Sequence, residues 1–375
     1  MAKDLYEEFS KERREQQELG LLPGWYITPG WQLFKLKYMY QADSWKEQYQ
    51  RIVKTAAKHL KGTSLEVEAE QKFFELFWNG WLSGSTPVVA NMGTDRALPI
   101  SCGGNYINDS INGFYSARHE TAMLTKNGFG TSSYLGAIRP RGSKISKGGR
   151  SSGILPVLKG HIQDMRDVAQ GSSRRGSWAG YLEIDHGDFD EIADFVKDEP
   201  DDANIGWIVS DDFVNKLELG DEESIRRFKK SLKLKMLTGK GYFCFIDKLN
   251  RKRPESYIKN NLTVKASNLC NEIALAADDN HSFSCVLSSM NVSKYNEWKD
   301  TAAVFWSTVF LDCVVTEFLE KAAGIPGLEK TVRFTEKGRA LGLGQCGFHT
   351  YLQNEMIPFE SLQAQLKSQE IAKHI

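Results

Sequence analysis

"SSGILPVLKGHIQDMRDVAQGSSRRGSWAGYLEI", Ser151 to Ile184, passes from a helical pattern through a glycine- and arginine-rich turn into a short apolar run. Pro156 suits the start of the helix, where the first turn has no intrahelical use for an N–H. Trp178 to Ile184 is almost continuously apolar, as strands buried on both faces are. "GYFCFID", Gly241 to Asp247, repeats that texture. Helices alternating with such strands predict an α/β architecture with a parallel sheet.

Working outward, Ser44 to Leu82 is helical, with Tyr49, Ile52, Val53 and Ala56, then Phe73, Phe74, Phe77, Trp78 and Trp81, at i, i+3, i+4 spacing. Nothing polar converges on these aromatics, so they read as core. The texture changes after "SGSTP", Ser83 to Pro87, which marks a seam. A second seam falls near "KTVRFTEKGRA", Lys330 to Ala340. "AAVFWSTVFLDCVV", Ala302 to Val315, is too short for a bilayer and broken by Ser307, Thr308 and Asp312, so it reads as a buried helix. These marks divide the chain into a helical region, 1–82, a main α/β region, 83–329, and a closing segment, 330–375.

The 375 residues carry 48 basic and 48 acidic side chains, so overall charge gives no case for DNA or a membrane as partner. Six scattered cysteines, without CxxC or Cys/His spacing, argue against a disulfide scaffold and a structural metal and fit a reducing cytoplasm. The charged start, "MAKDLYEEFSKERREQQELG", lacks the apolar stretch of a signal peptide. The seven histidines form no HxxxH or HExxH, and the acidic clusters sit in turn-like contexts, so no metal ligand set is expected.

Two loops are candidates for phosphate. "IRPRGSKISKGGR", Ile138 to Arg150, holds five basic residues, three glycines and no acid, and "AQGSSRRGSWAG" pairs Arg174 and Arg175 with Gly171 and Gly176. Each alone is more often a solvated surface loop, and only the two together, flanking one helix, make nucleotide binding an equal reading. "GLGQCG", Gly342 to Gly347, matches G-x-G-x-x-G only formally, since a dinucleotide site needs a buried strand before it and an acid about 20 residues later. Close strand-to-helix packing is the plainer account. In "SNLCNEIALAADDNHSFSCVLSSMN", Ser267 to Asn291, an extended frame would put Asn268, Cys270 and Glu272 on one face. An amide, a thiol and a carboxylate would then converge, although a lone cysteine among apolar residues is more often a small core side chain.

The ordered set "STP" (Ser85 to Pro87), "SC" (Ser101, Cys102), "DSIN" (Asp109 to Asn112), "IRPRGS", "QGSSRRG", "NLCNE", Cys285 and "GLGQCGFHTYLQNEMIPFES" (Gly342 to Ser361) resembles the catalytic large subunit of ribonucleotide reductase. The resemblance covers roughly Trp78 to the C-terminus. It implies a ten-stranded α/β barrel of two five-stranded halves, with 83–329 as the first half, a finger loop around 266–292, and 330–375 opening the second. It implies radical reduction of a ribonucleoside diphosphate to a deoxyribonucleotide. Cys270 would be the thiyl radical that takes the ribose 3′ hydrogen, Glu272 the base for the 3′-hydroxyl and Asn268 a ribose ligand. Cys102 would protonate the departing 2′-hydroxyl and, with Cys285, supply two electrons by forming a disulfide. Thr86 and Ser101 would hold substrate phosphate, and Asp109, Arg139, Arg174 and Arg175 a nucleoside triphosphate effector at a homodimer interface.

The same resemblance sets departures. No ATP-sensing cone domain precedes the motifs, and the family's later loop, paired tyrosines and mobile cysteines have no match before "SQEIAKHI", Ser368 to Ile375. The expectation is a chain that works with a complementing C-terminal polypeptide and a metal-bearing small subunit as radical source. Adenosylcobalamin as that source, or a non-catalytic nucleotide-binding fragment, are the alternatives.

Overall fold

The computed structural model describes the backbone of residues 2–168 and 176–375, with side chains from Leu5 onward. The chain divides into two compact units, one of residues 1–101, 285–322 and 339–375, the other of 102–284 and 323–338. They interleave along the sequence.

The second unit holds five parallel strands in the order of the sequence: β2 (Cys102–Tyr106), β3 (Gly130–Tyr134), β4 (Trp178–Glu183), β5 (Ile205–Val209) and β6 (Tyr242–Phe245). Helices Ile111–Lys126, Leu155–Asp167, Phe189–Asp198 and Glu222–Thr238 lie between successive strands. Parallel neighbours require such crossovers. The α/β expectation holds, with β4 and β6 where the apolar runs placed them. The Leu155–Asp167 helix begins one residue before Pro156.

Alternation gives this sheet two unlike faces. Trp178, Leu182, Ile205, Trp207 and Val209 point into the helix-covered core. Ala179, Tyr181, Ile208 and Cys244 point the other way, where Ala266 and Leu269 pack on them. That second face is kept low by its residues. A Cβ on Gly206 would meet the Tyr181 ring at 2.2 Å, and one on Gly104 would meet the Phe283 ring at 2.4 Å.

The first unit contains β7 (Phe283–Asn291) from Cys285 on, with β1 (Leu82–Gly84) antiparallel and β8 (Leu341–Cys346) parallel to it. Helices Trp45–Ala57, Glu66–Trp78 and Ala303–Ala322 build its core, where Phe73 and Phe77 meet Phe310 edge-on. Among the described residues no single helix is long and apolar enough to cross a membrane. Eight strands occur among the described residues.

"KTVRFTEKGRA" is mostly helix, Glu329–Gly338, which buries Thr331, Phe334 and Thr335, and a boundary between the two units falls at its end, between Gly338 and Arg339, inside the expected seam. "GLGQCG" is itself mostly strand β8, and its first glycine is needed for close approach. A Cβ on Gly342 would meet Leu287 at 2.3 Å and the Cys285 Sγ at 3.1 Å.

Candidate active site

Residues 263–282 are an irregular excursion laid on the low face of the five-stranded sheet. Strand begins again at Phe283, inside the range 266–292 expected for a finger loop, and Cys285 stands on β7. Near its entry, Lys265 lies over the rings of Tyr106 and Tyr134, the last residues of β2 and β3. Ser132 Oγ then donates to the Ser267 carbonyl at 2.8 Å, and the Tyr181 hydroxyl to the Asn268 carbonyl at 2.6 Å. On the way out, Asn108 Nδ2 donates to Asp279. The excursion thus enters and leaves at the C-terminal ends of the strands.

Its tip is a turn and not the extended frame expected from Asn268, Cys270 and Glu272. The Asn271 amide donates to the Asn268 carbonyl at 3.1 Å, and Asn271 is left-handed with φ +67°. Asparagine tolerates that conformation better than most residues. The Asn268 side chain closes the turn: Oδ1 accepts the amides of Glu272 and Ile273, each at 3.0 Å. Its Nδ2 donates to Glu272 Oε1 at 2.7 Å and reaches Cys102 Sγ at 3.7 Å. Asn268 is fully buried and Glu272 is exposed. A neutral amide therefore links a carboxylate and a thiol that are 170 residues apart in sequence, without adding charge.

Cys270, at the crown of the turn, is exposed. With Leu269 it lines a cleft of about 270 Å³. The other walls include Trp178, Asn204, Lys240 and Tyr242, which places the cleft at the N-terminal ends of β4, β5 and β6. Trp178 is fixed from behind. His161 stacks on it with centroids 4.8 Å apart, and the Trp178 Nε1 donates to Ser133 Oγ at 2.9 Å. Burial holds the His161 imidazole down at about 4 and therefore neutral. Burial also pushes the Tyr181 phenol far above its ordinary value, so it remains a donor at neutral pH.

The structure thus joins Asn268, Glu272 and Cys102, with Cys270 between the first two. Cys285 is buried on β7 beside Gly342, in the other unit. None of the six cysteines is in a disulfide. Thr86 opens a short helix, Thr86–Asn91, and Ser101 is buried with no hydrogen-bond partner for its hydroxyl. Asp109 and Arg139 form an ion pair, Nε to Oδ2 at 2.5 Å, and Arg139 also donates to the Lys144 carbonyl. Arg174 and Arg175 lie outside the described residues. Sequence reasoning passed over Tyr181, Ser132 and Asn271. Only Asn271, a turn-former next to Cys270, carried a local signal.

Sequence spacing also gave no hint of His59, Glu317 and Glu320, whose ligand-type atoms cluster within 4.8 Å. Lys58 already places its ammonium 2.7 Å from Glu317 Oε2, so that carboxylate is paired without an ion.

Residues 100–229 and 223–375 match the family model "Ribonucleotide reductase, barrel domain". A protein of Frog virus 3 (isolate Goorha), provisionally named a ribonucleoside-diphosphate reductase large subunit, is 30% identical over 79% of this chain and 55% of its own length. The ribonucleoside-diphosphate reductase large subunit of Invertebrate iridescent virus 3 is 27% identical over 81% of this chain and 59% of its own. A vitamin B12-dependent ribonucleoside-diphosphate reductase of Thermoplasma acidophilum is 28% identical over 75% of this chain and 38% of its own. Among solved structures, the Actinobacillus ureae class Id ribonucleotide reductase alpha subunit superposes with a TM-score of 0.85 at 38% identity, covering 92% of this chain and 64% of that one. The chain spans a little over half the length of these two viral relatives, and the family model takes in both the sheet and the turn that carries Cys270. This chain belongs to the ribonucleotide reductase large-subunit family.

Proposed function

We propose that the chain carries the radical site of a ribonucleotide reductase acting on ribonucleoside diphosphates. The observation that supports it most is the Asn268 amide, which ties Glu272 and Cys102 together at the turn presenting Cys270. In this reading a Cys270 thiyl removes the ribose 3′ hydrogen while Glu272 accepts the 3′-hydroxyl proton. Cys102 protonates the 2′-hydroxyl, which leaves as water. Oxidation of Cys102 and Cys285 to a disulfide supplies the two electrons, and Cys270 returns the hydrogen to C3′. The sum is one ribonucleotide and two thiols giving one deoxyribonucleotide, one disulfide and water. Asn268 orients the ribose and the carboxylate, and buried Ser101, with Thr86, receives the substrate phosphates.

The same reading takes 83–329 as the first half-barrel and 330–375 as the opening of the second. The Asp109–Arg139 pair and the Arg174–Arg175 segment would receive a nucleoside triphosphate effector in a homodimer. The radical comes from a separate metal-bearing small subunit, favoured by relatives named as large or alpha subunits. The B12-dependent relative supports adenosylcobalamin as a second source. Whatever polypeptide supplies the remaining length of the relatives completes the barrel around the site. A Cys270→Ser variant tests the assignment: folding and melting stay near wild type, while deoxynucleotide formation by the assembled enzyme is lost. Turnover by that variant would remove Cys270 from the chemistry.

A further inference from the structure

The crown of the turn depends on a hydroxyl that belongs to neither the turn nor the proposed chemistry. Tyr181 is the fourth residue of β4, its side chain is fully buried, and its ring fills the space left by Gly206. Its hydroxyl donates to the Asn268 carbonyl at 2.6 Å and lies 3.3 Å from Asn271 Oδ1. Asn271 Nδ2 in turn donates to the Phe243 carbonyl of β6 at 3.2 Å. Two residues of the turn, one on each side of Leu269–Cys270, are thereby held to the sheet through one phenol and one backbone carbonyl. Asn268 is also the residue whose side chain reaches Glu272 and Cys102. Rotation of its peptide would break those contacts together.

We infer that Tyr181 is a positioning residue: its hydroxyl, acting through Asn268 and Asn271, fixes the turn that presents Cys270 and aims Glu272. The inference rests on the proposed role of Cys270 for its catalytic consequence, but the mechanical part stands on contacts alone. Burial keeps the phenol protonated, so the bond persists across the working pH range. Small displacements of reacting groups are costly, so a turn held from a rigid strand gives better geometry than one held by its own loop.

The test is Tyr181→Phe, which keeps the ring in its slot and removes only the hydroxyl. Hydrogen exchange on the 375-residue chain should show the amides of Glu272 and Ile273 exchanging about five- to tenfold faster, as loss of one buried hydrogen bond predicts. Exchange across β4 and β5 should be unchanged. In the assembled enzyme kcat should fall about tenfold with KM unaltered, since substrate contacts remain. Asn271→Gly, which keeps the left-handed backbone and removes the side chain, should loosen the same two amides. Unchanged turn exchange in Tyr181→Phe would overturn the inference, as would loss of protection spread evenly over the sheet, which would mark a general packing role. A loosened turn with undiminished kcat would overturn it too. Turnover by Cys270→Ser is a separate result, striking the catalytic reading and leaving the exchange result intact.

Discussion

On the helix-covered face of the five-stranded sheet, Trp178, Leu182, Ile205 and Trp207 bury large apolar surface against helices. On the opposite face Ser132, Ala179, Tyr181 and Gly206 present little bulk and two hydroxyls. The strands are the same and the jobs differ. The first face gains free energy in proportion to area, and it tolerates exchange among residues of similar volume. The second holds a chain segment without secondary structure of its own, which needs directional bonds and clearance more than area. An irregular segment on a surface must find partners for its backbone polar groups, and here strand side chains provide them. The pairing of a generic core with a specific cradle explains how residues 263–282 are held on the sheet.

Substitutions can break this contrast in graded ways. The largest loss is expected from Trp207→Ala on the helix face, where a fully buried indole packs against Phe189, and about 3–5 kcal/mol should disappear from the unfolding free energy. Next comes His161, behind Trp178. Its folded pKa, near 4, lies below the ordinary value of 6.5, so the unfolded chain binds the proton first as pH falls. The stabilisation is present above about pH 6.5 and is lost down to pH 4, amounting to about 3 kcal/mol. His161→Phe, which retains an aromatic ring against Trp178, should flatten that part of the acid limb in denaturant titrations.

On the cradle face, Gly206→Val drives branched carbon into the Tyr181 ring and should cost about 1–3 kcal/mol of stability. Its signature is faster exchange at residues 268–273 in addition to a lower melting temperature. The smallest expected effect is Ser132→Ala, which removes one bond to the Ser267 carbonyl for about 1 kcal/mol. If Ser132→Ala lowered stability as much as Trp207→Ala, the division of labour between the faces would be wrong.

What the sequence disclosed follows the same division. Strands β4 and β6 were legible because apolar runs announce burial. Strands β2, "CGGNY", and β3, "GTSSY", were not, because their residues are polar or lack side chains. Their polar groups are satisfied by one another, a tertiary fact. Trp178 Nε1 donates to Ser133 Oγ, Ser133 to Asn105 Oδ1, and Asn105 Nδ2 to Glu120, whose carboxyl burial pushes upward. No local pattern encodes such a chain. The identities of Cys270, Glu272 and Asn268 as candidates came from an ordered set of short motifs. Their geometry did not, since the extended frame is replaced by a turn that depends on Asn271 and on a tyrosine 90 residues upstream.

The Asn268 side chain uses both ends of its amide, oxygen toward two backbone N–H groups and nitrogen toward Glu272. Such a residue has a chemical lifetime as well as a structural role. Spontaneous hydrolysis of asparagine to aspartate preserves the outline of the side chain but exchanges its donor for an acceptor. At position 268 that would leave two carboxylates facing each other where a 2.7 Å hydrogen bond now stands. An aged molecule would keep its fold, its cysteines and almost its mass, while the turn's central link had changed sign from attraction to repulsion.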